Sequence, residues 1–215
     1  MLGRVIRKLV ASGINEIIVN VHHFADQVKD YISATEFGIP VSISDESEHL
    51  LDTGGGILKA KGFLNGLEPF VVHNADILTD FDLSRMIENH MASGADATLM
   101  ASPRATSRYL FFDTDNRLCG WCNEKNGATR PDGFAPAPDM KKLAFGGVHV
   151  LSPSIFDVLE HYATPDTPFS ITNLYVDSID TLDIRAFTPE ENFIWCDIGN
   201  PESLERANNL IAKQS

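Results

Sequence analysis

Cysteine is scarce in this chain, with three residues (Cys119, Cys122 and Cys196) among 215. So small and odd a number excludes a disulfide-built scaffold and fits a reducing compartment. Basic residues are also few: 17 Lys and Arg stand against 30 Asp and Glu, a formal net charge of −13. Such a balance opposes non-specific binding of nucleic acid or an anionic membrane, and any phosphate ligand would need to arrive with a cation. No apolar run approaches the roughly 18 residues of a membrane span. The opening stretch from Met1 to Gly13 is amphipathic rather than signal-like. Internal repeats and low-complexity segments are absent too. These absences predict a cytoplasmic protein that binds neither nucleic acid nor membrane.

What is present is enough apolar material for a full core, 43% of residues, most simply as one domain over residues 1–215. Leu2, Val5, Ile6, Leu9 and Val10 recur at helical spacing. A β-branched run at Glu16 to Val21 predicts a strand, Phe24 to Ile32 a helix, and Pro40 to Ser44 another strand. This alternation, joined by short connections, predicts an α/β fold: a Rossmann-like three-layer sandwich around a mainly parallel mixed sheet. Later, Leu83 to Ser93 reads as a helix and Ala97 to Ala101 as a strand. Tyr109 to Phe112 and Arg117 to Trp121 form a hairpin about Asp113 to Asn116. Gly127 to Asp139 reads as an exposed loop, Leu143 to Leu151 as a buried strand, Ser152 to Leu159 as a helix, Leu182 to Phe187 as a strand, and Asn200 to about Ala212 as the last helix.

Phe70 to Asp82 carries the first candidate chemistry. An apolar run turns polar within four residues, so Asn74 and Asp76 fall where open α/β sheets gather ligands, beyond a strand's carboxyl end. A carboxylate there can hold Mg²⁺ while phosphate oxygens complete the shell; alternatively Asp76 and Asp80 cap the next helix. Leu51 to Ala60 reads as a three-glycine loop, Gly54 to Gly56, opening a short helix, suited to a tight turn or to close backbone approach by a ligand. It lacks the residues of a Walker loop. Asp197 interrupts the apolar run from Phe193 to Gly199, which is costly unless the acid is paired, metal-bound or exposed. His22 and His23, adjacent in an extended chain, are predicted to point to opposite faces and to be structural. Cys119 and Cys122 have Cys-x-x-Cys spacing, but the residues that follow are polar and turn-rich rather than helical. They read as free thiols in a hairpin.

Together these stretches resemble the sugar-1-phosphate nucleotidyltransferase family, on the nucleotide-diphospho-sugar transferase fold. Leu51-Asp52-Thr53-Gly54-Gly55-Gly56 is similar to its base-contacting glycine loop and Asn74-Ala75-Asp76 to its metal-binding Asn-x-Asp. Phe145-Gly146-Gly147-Val148 is similar to its sugar-side glycine strand and Trp195-Cys196-Asp197-Ile198-Gly199 to its Trp-x-Asp-x-Gly. Within the family the chain looks most like bacterial uridylyltransferases acting on N-acetylmuramate 1-phosphate. The resemblance implies that Asp76 and Asp197 hold Mg²⁺ and are catalytic, and that Thr53, Gly54, Gly55 and Asn74 bind the nucleotide. It further implies that Gly147 and Glu124 contact the sugar. The implied substrates are a nucleoside triphosphate, UTP favoured, and a sugar 1-phosphate, with homo-oligomer formation left open.

The family's opening strand, its Gly-x-Gly-x-Arg triphosphate loop and its Pro-Lys have no counterpart in these 215 residues. The resemblance therefore implies a member shortened at its N-terminus, lacking the first strand, with impaired activity. Two rival readings stay open: a glycosyltransferase of the same fold using Asp80-Phe81-Asp82, and a non-catalytic nucleotide-sugar binding or regulatory module.

Overall fold

The computed structural model describes residues 1–190 and 192–199, together with Ser203, Glu205 and Ala207. Helix α1 (Leu2–Ala11) forms as its apolar spacing requires, burying Val5, Ile6 and Leu9. Gly13, at φ 90°, turns the chain out of it. Strand β1 (Ile17–Val21) then pairs in parallel with β2 (Val41–Asp45) across helix α2 (Ala25–Ser33). A crossover helix is what permits parallel pairing of neighbours.

Helices α3 (Asp52–Lys59) and α4 (Lys61–Leu64) lead to β3 (Phe70–His73) and the short β4 (Ile77–Thr79). Helix α5 (Leu83–Ser93) is capped by Asp82, whose side chain accepts from the N–H groups of Ser84 and Arg85. The cap is thus neither Asp76 nor Asp80. Next come β5 (Ala97–Ser102), the hairpin of β6 (Arg108–Phe112) and β7 (Leu118–Asn123), then β8 (Ala128–Arg130) and the long β9 (Lys141–Leu151). The chain continues through α6 (Ile155–Tyr162), α7 (Ile171–Asp177), β10 (Ile184–Phe187) and β11 (Trp195–Asp197). Four elements escape the sequence reading: β8 lies inside the segment expected to be loop, and α4, β4 and α7 were not anticipated. The helix expected over 200–212 lies outside the described residues apart from Ser203, Glu205 and Ala207, which are helical.

The sheet corrects the fold expectation. Its seven strands run β10-β5-β9-β6-β7-β8, with β3 also on β9, and only the β10–β5 pair among them is parallel. The main sheet is mixed but mostly antiparallel. Apolar periodicity reports that a segment is a buried strand, not which way it runs; direction follows from the connections. Here β6, β7, β8 and β9 are joined without helices, and β9 runs against both β3 and β5.

Side chains on β5 alternate between two cores. Leu99 and Ala101 pack with α3, α6 and α7, whereas Met100 packs with α1 and α5. Helices thus cover both sheet faces, and the three-layer arrangement follows. No described helix is long and apolar enough to cross a membrane. The β1–β2 pair is a separate sheet, and a cavity of about 880 Å³ lies along β1 and β3, walled by residues of α1 and α3.

Candidate functional site

Past the end of β3 the backbone turns through Asn74, Ala75 and Asp76 into β4. Two bonds fix this turn: Asn74 N–H donates to the Gly147 carbonyl (2.9 Å), and Ile77 N–H donates to the Asn74 carbonyl (3.1 Å). Gly147 has φ 75°, a conformation that favours glycine. A side chain there would crowd the Asn74 amide and Ile77, each 3.0 Å from its Cβ position. Asn74 and Gly147, read from the sequence as nucleotide-side and sugar-side residues, therefore share one corner.

Strand β11 brings in the second acid. It pairs antiparallel with β4 so that Asp197 stands opposite Ile77, the neighbour of Asp76. Ile198 N–H donates to the Asp76 carbonyl (2.9 Å), and Gly199 N–H to Asp197 Oδ1 (2.8 Å). Carboxylate oxygens of Asp197 and Asp76 lie 3.0 and 3.8 Å from the Cβ position of Gly199. Burial, followed by the negative charge of Asp197, pushes the Asp76 carboxyl above its ordinary pKa. The two acids repel each other across a small gap. Among the described residues no group of three or more His, Cys, Asp or Glu could hold a metal. Two carboxylates suit Mg²⁺, which is commonly bound through one or two of them with phosphate oxygens and water completing its shell. Asp76 and Asp197 are the residues that would hold it.

One cation attends this corner. Arg104, in the loop after β5, lies over the Trp195 ring at 3.7 Å and donates from Nη2 to the Phe145 carbonyl (2.5 Å). Trp195 in turn donates from Nε1 to the Gly146 carbonyl (2.9 Å). Burial lowers the Arg104 pKa, and Asp197 opposes that shift. Sequence reading missed Arg104; the available signal was a basic residue just beyond a strand's carboxyl end.

The glycine segment differs from its expected form. Gly54, Gly55 and Gly56 are not in a loop but buried within helix α3. Gly54 donates its N–H to the Phe169 carbonyl (2.9 Å), and Thr53 Oγ1 accepts from Ile171 N–H (3.1 Å). A Cβ on Gly54 would overlap the Phe169 ring, and one on Gly55 would come 2.6 Å from the Thr167 carbonyl oxygen. These glycines let residues 167–171 pack against α3. Thr53 and Asn74 line the same cavity, which places the start of α3 and the end of β3 on a common space.

Glu124 stays apart. It is ion-paired with Lys142 on β9 (2.5 Å), five residues before Gly147, which is roughly 17 Å along an extended strand. The acids of Asp80-Phe81-Asp82 are engaged structurally: Asp80 accepts from Ile194 N–H (2.6 Å), and Asp82 caps α5. Among the described residues Cys119, Cys122 and Cys196 form no disulfide, and Cys119 and Cys122 lie on β7 of the hairpin as expected. The chain leaves β1 at Val21, so strand alternation does not separate His22 and His23, and their ring centroids lie 4.5 Å apart. That corrects the opposite-face expectation.

The family model described as Nucleotidyl transferase matches residues 1–214. The chain belongs to the nucleotidyl transferase family. It is 29% identical over 220 residues to N-acetylmuramate alpha-1-phosphate uridylyltransferase of Caulobacter vibrioides, covering 99% of this chain and 84% of that protein. It is 25% identical over 222 residues to mannose-1-phosphate guanylyltransferase catalytic subunit beta of Dictyostelium discoideum, covering 100% of this chain and 58% of that one. Among solved structures, a UDP-glucose pyrophosphorylase complexed with UDP-glucose superposes with a TM-score of 0.76 at 16% identity, over 99% of this chain and 86% of that chain. HddC from Yersinia pseudotuberculosis gives 0.72 at 22% identity, over 98% and 84%. At such identities these structures show the fold alone.

Proposed function

We propose that this chain handles a nucleoside triphosphate and a sugar 1-phosphate, as a nucleotidyltransferase that moves the nucleoside monophosphate onto the sugar phosphate. A phosphate oxygen of the sugar 1-phosphate attacks the α-phosphorus, the bond to the bridging oxygen breaks, and pyrophosphate leaves. The observation that carries this reading is the meeting of Asp76 and Asp197 at Gly199, beside the corner formed by Asn74 and Gly147. Mg²⁺ bound by the two carboxylates would neutralise phosphate charge. The chain's own residues position the reactants. The backbone bond from Asn74 to Gly147 fixes the turn from which Asn74 would meet the nucleotide, and Thr53, which lines the same cavity, would meet it from α3. Gly54 and Gly55 let α3 sit close to residues 167–171 and so set that wall. UTP and an N-acetylmuramate-type sugar phosphate are favoured by likeness to the Caulobacter protein.

Activity of the 215 residues alone is expected to be low. They contain no Gly-x-Gly-x-Arg to cradle the triphosphate, and loss of one preorganised donor typically costs about 10²- to 10³-fold in rate. The test is pyrophosphate release from UTP or GTP with N-acetylmuramate, glucose or mannose 1-phosphate. Each pair is run with this chain and with a version extended ahead of Met1 by a strand and a Gly-x-Gly-x-Arg loop. Release by the extended form, dependent on a sugar 1-phosphate, supports the reading. Free nucleoside diphosphate in place of pyrophosphate, or no turnover by either form, would count against it.

A further inference from the structure

We propose that Arg104 grips the phosphate of the sugar 1-phosphate, as a forked cation held ready beside Asp197 and outside the nucleotide cavity. The assignment, which rests on nucleotidyl transfer as read above, follows from the local backbone. On the β5–β9 ladder Leu99 pairs with His149 and Ala101 with Phe145, so residues 146–148 of β9 stand opposite Met100 alone. A bulge of that kind re-aims the chain, often next to a functional site. Here two of its carbonyls go to side chains: Phe145 accepts from Arg104 Nη2 (2.5 Å) and Gly146 from Trp195 Nε1 (2.9 Å). With the guanidinium 3.7 Å from the centre of the indole, Arg104 is fixed both by stacking and by a hydrogen bond.

Strand β11 brings that cation to the acids. Trp195 and Asp197 are two residues apart on it and so face the same side, while Cys196 between them packs into a small core of its own with Leu78 and Ala207. Arg104, stacked on Trp195, therefore stands within electrostatic reach of Asp197. It nevertheless forms no ion pair among the described residues, whereas Arg85, Arg117, Arg130 and Arg185 each have a carboxylate. A guanidinium carries a fork of N–H donors, and the bond to Phe145 uses one of them. Its Nε is buried without an acceptor, a costly state for a donor. An arginine serving the fold alone would commit its charge and its donors to neighbours; Arg104 keeps its charge and most of its donors.

Position and charge say which anion it awaits. Thr53 and Asn74 line the cavity along β1 and β3, but Arg104, Trp195, Asp76 and Asp197 do not. Of the two substrates, the one whose phosphate can reach the acids without occupying that cavity is the sugar 1-phosphate. To react, this phosphate must approach two carboxylates that repel it, in a chain whose net charge is already −13. A fixed cation on their flank offsets that repulsion, and a planar fork suits phosphate oxygens two at a time. Holding the attacking oxygen in place is itself a large part of such catalysis.

The test is calorimetric binding to the whole 215-residue chain of glucose 1-phosphate, N-acetylmuramate 1-phosphate and free N-acetylmuramate, which has a carboxylate and no phosphate. Binding of UTP with Mn²⁺ is measured alongside. Arg104→Gln should weaken both sugar 1-phosphates about 10- to 100-fold, the range for losing a charged hydrogen-bond partner, and leave UTP within about threefold. Arg104→Lys keeps a charge without the fork and should fall between. In a Trp121→Phe chain either sugar 1-phosphate should shield Trp195 from iodide, a response that an arginine serving the fold alone would not give. Should Arg104→Gln not fold, the lysine variant and the iodide shielding decide. Unchanged sugar-phosphate affinity in a folded variant would overturn the assignment and leave nucleotidyl transfer standing, as would a wild-type chain that binds UTP but no sugar phosphate. Equal loss of UTP and sugar phosphate would make Arg104 a structural support, and loss confined to the two N-acetylmuramate compounds would give it a carboxylate; either result overturns the assignment. A wild-type chain that binds neither UTP nor any sugar phosphate would instead sink the nucleotidyl-transfer reading, and the assignment with it.

Discussion

Asn74 and Gly147 are fitted to each other twice: the Asn74 N–H donates to the Gly147 carbonyl, and the Asn74 amide occupies the space a Gly147 side chain would need. One glycine on the central strand thus decides where a polar residue at the end of another strand points.

Gly147→Ala tests that dependence. The backbone would have to carry a side chain at φ 75°, which costs roughly 1–2 kcal/mol for an L-residue, and the Asn74 amide would have to move. A lower urea midpoint is expected, together with weaker nucleotide binding by calorimetry. Asn74→Gly in the same chain makes room for the methyl group and should recover part of the stability but none of the binding.

Asp76 and Asp197 offer a contrast between structural and ligand-binding acids. Structural carboxylates destabilise the fold when neutralised, whereas these two repel each other, and the Asp76 pKa is raised partly for that reason. Asp197→Asn should therefore leave the thermal midpoint unchanged or raise it. Loss of an outer-shell partner alone costs roughly 10–100-fold in metal affinity, so losing a carboxylate should cost at least about that. Electron paramagnetic resonance of Mn²⁺ with UTP reads it directly. A destabilised variant with unaltered Mn²⁺ binding would remove the metal assignment.

Gly54 separates packing from ligand contact. A methyl group there would overlap Phe169, and overpacking typically costs about 1–3 kcal/mol. Gly54→Ala should lower the denaturant midpoint accordingly, and combining it with Phe169→Ala should cost less than the two changes added, since they share one volume. Full additivity would mean that the helix, not the ring, adjusts.

The sequence made much of this site legible because its residues sit at strand ends, where an apolar run breaks into polar residues. Asn74, Asp76 and Asp197 were found that way, whereas Gly147, inside β9, was singled out as a glycine in a buried strand and by the resemblance. Strand direction was not legible: β9 looks like any buried strand, and only its pairing with β3 and β5 reveals that it runs against both. The role of Gly54 to Gly56 was hidden for a similar reason. Glycines marked a close approach, but the approaching groups belong to the same chain: Phe169 at Gly54, Thr167 at Gly55, and Asn20 and Glu46 at Gly56. Arg104 was missed because its importance lies in stacking on Trp195 and in proximity to Asp197, both distant in sequence.

His149 makes stability depend on pH. It is 1% exposed, touches the Tyr175 hydroxyl through Nδ1 (2.5 Å), and burial, with His73 adding, lowers its pKa to about 3. In the unfolded chain an ordinary histidine takes up its proton near pH 6.5. Between those values the unfolded state binds the extra proton, so stability is complete above about pH 6.5 and falls as pH drops toward 3, by up to about 1.4 kcal/mol per pH unit. His149→Gln should flatten the change in urea midpoint between pH 7.5 and 5. The buried His90, whose pKa is also lowered by burial, supplies a residual slope of the same sign.

Arg104 and Trp195 give the last prediction. The guanidinium stacks on the indole at 3.7 Å and ties down the Phe145 carbonyl, while the indole ties down that of Gly146. Stacking needs a planar cation, so lysine is not an equivalent replacement. Arg104→Lys should keep the charge near Asp197 but free the indole, costing about 0.5–2 kcal/mol from the lost cation–π contact. The chain has two tryptophans, Trp121 and Trp195, so the measurement is made in a Trp121→Phe background where emission reports Trp195 alone. A red shift and easier quenching by iodide are expected for Arg104→Lys. Unchanged emission would mean that the indole is held by its bond to Gly146 and that Arg104 contributes charge only.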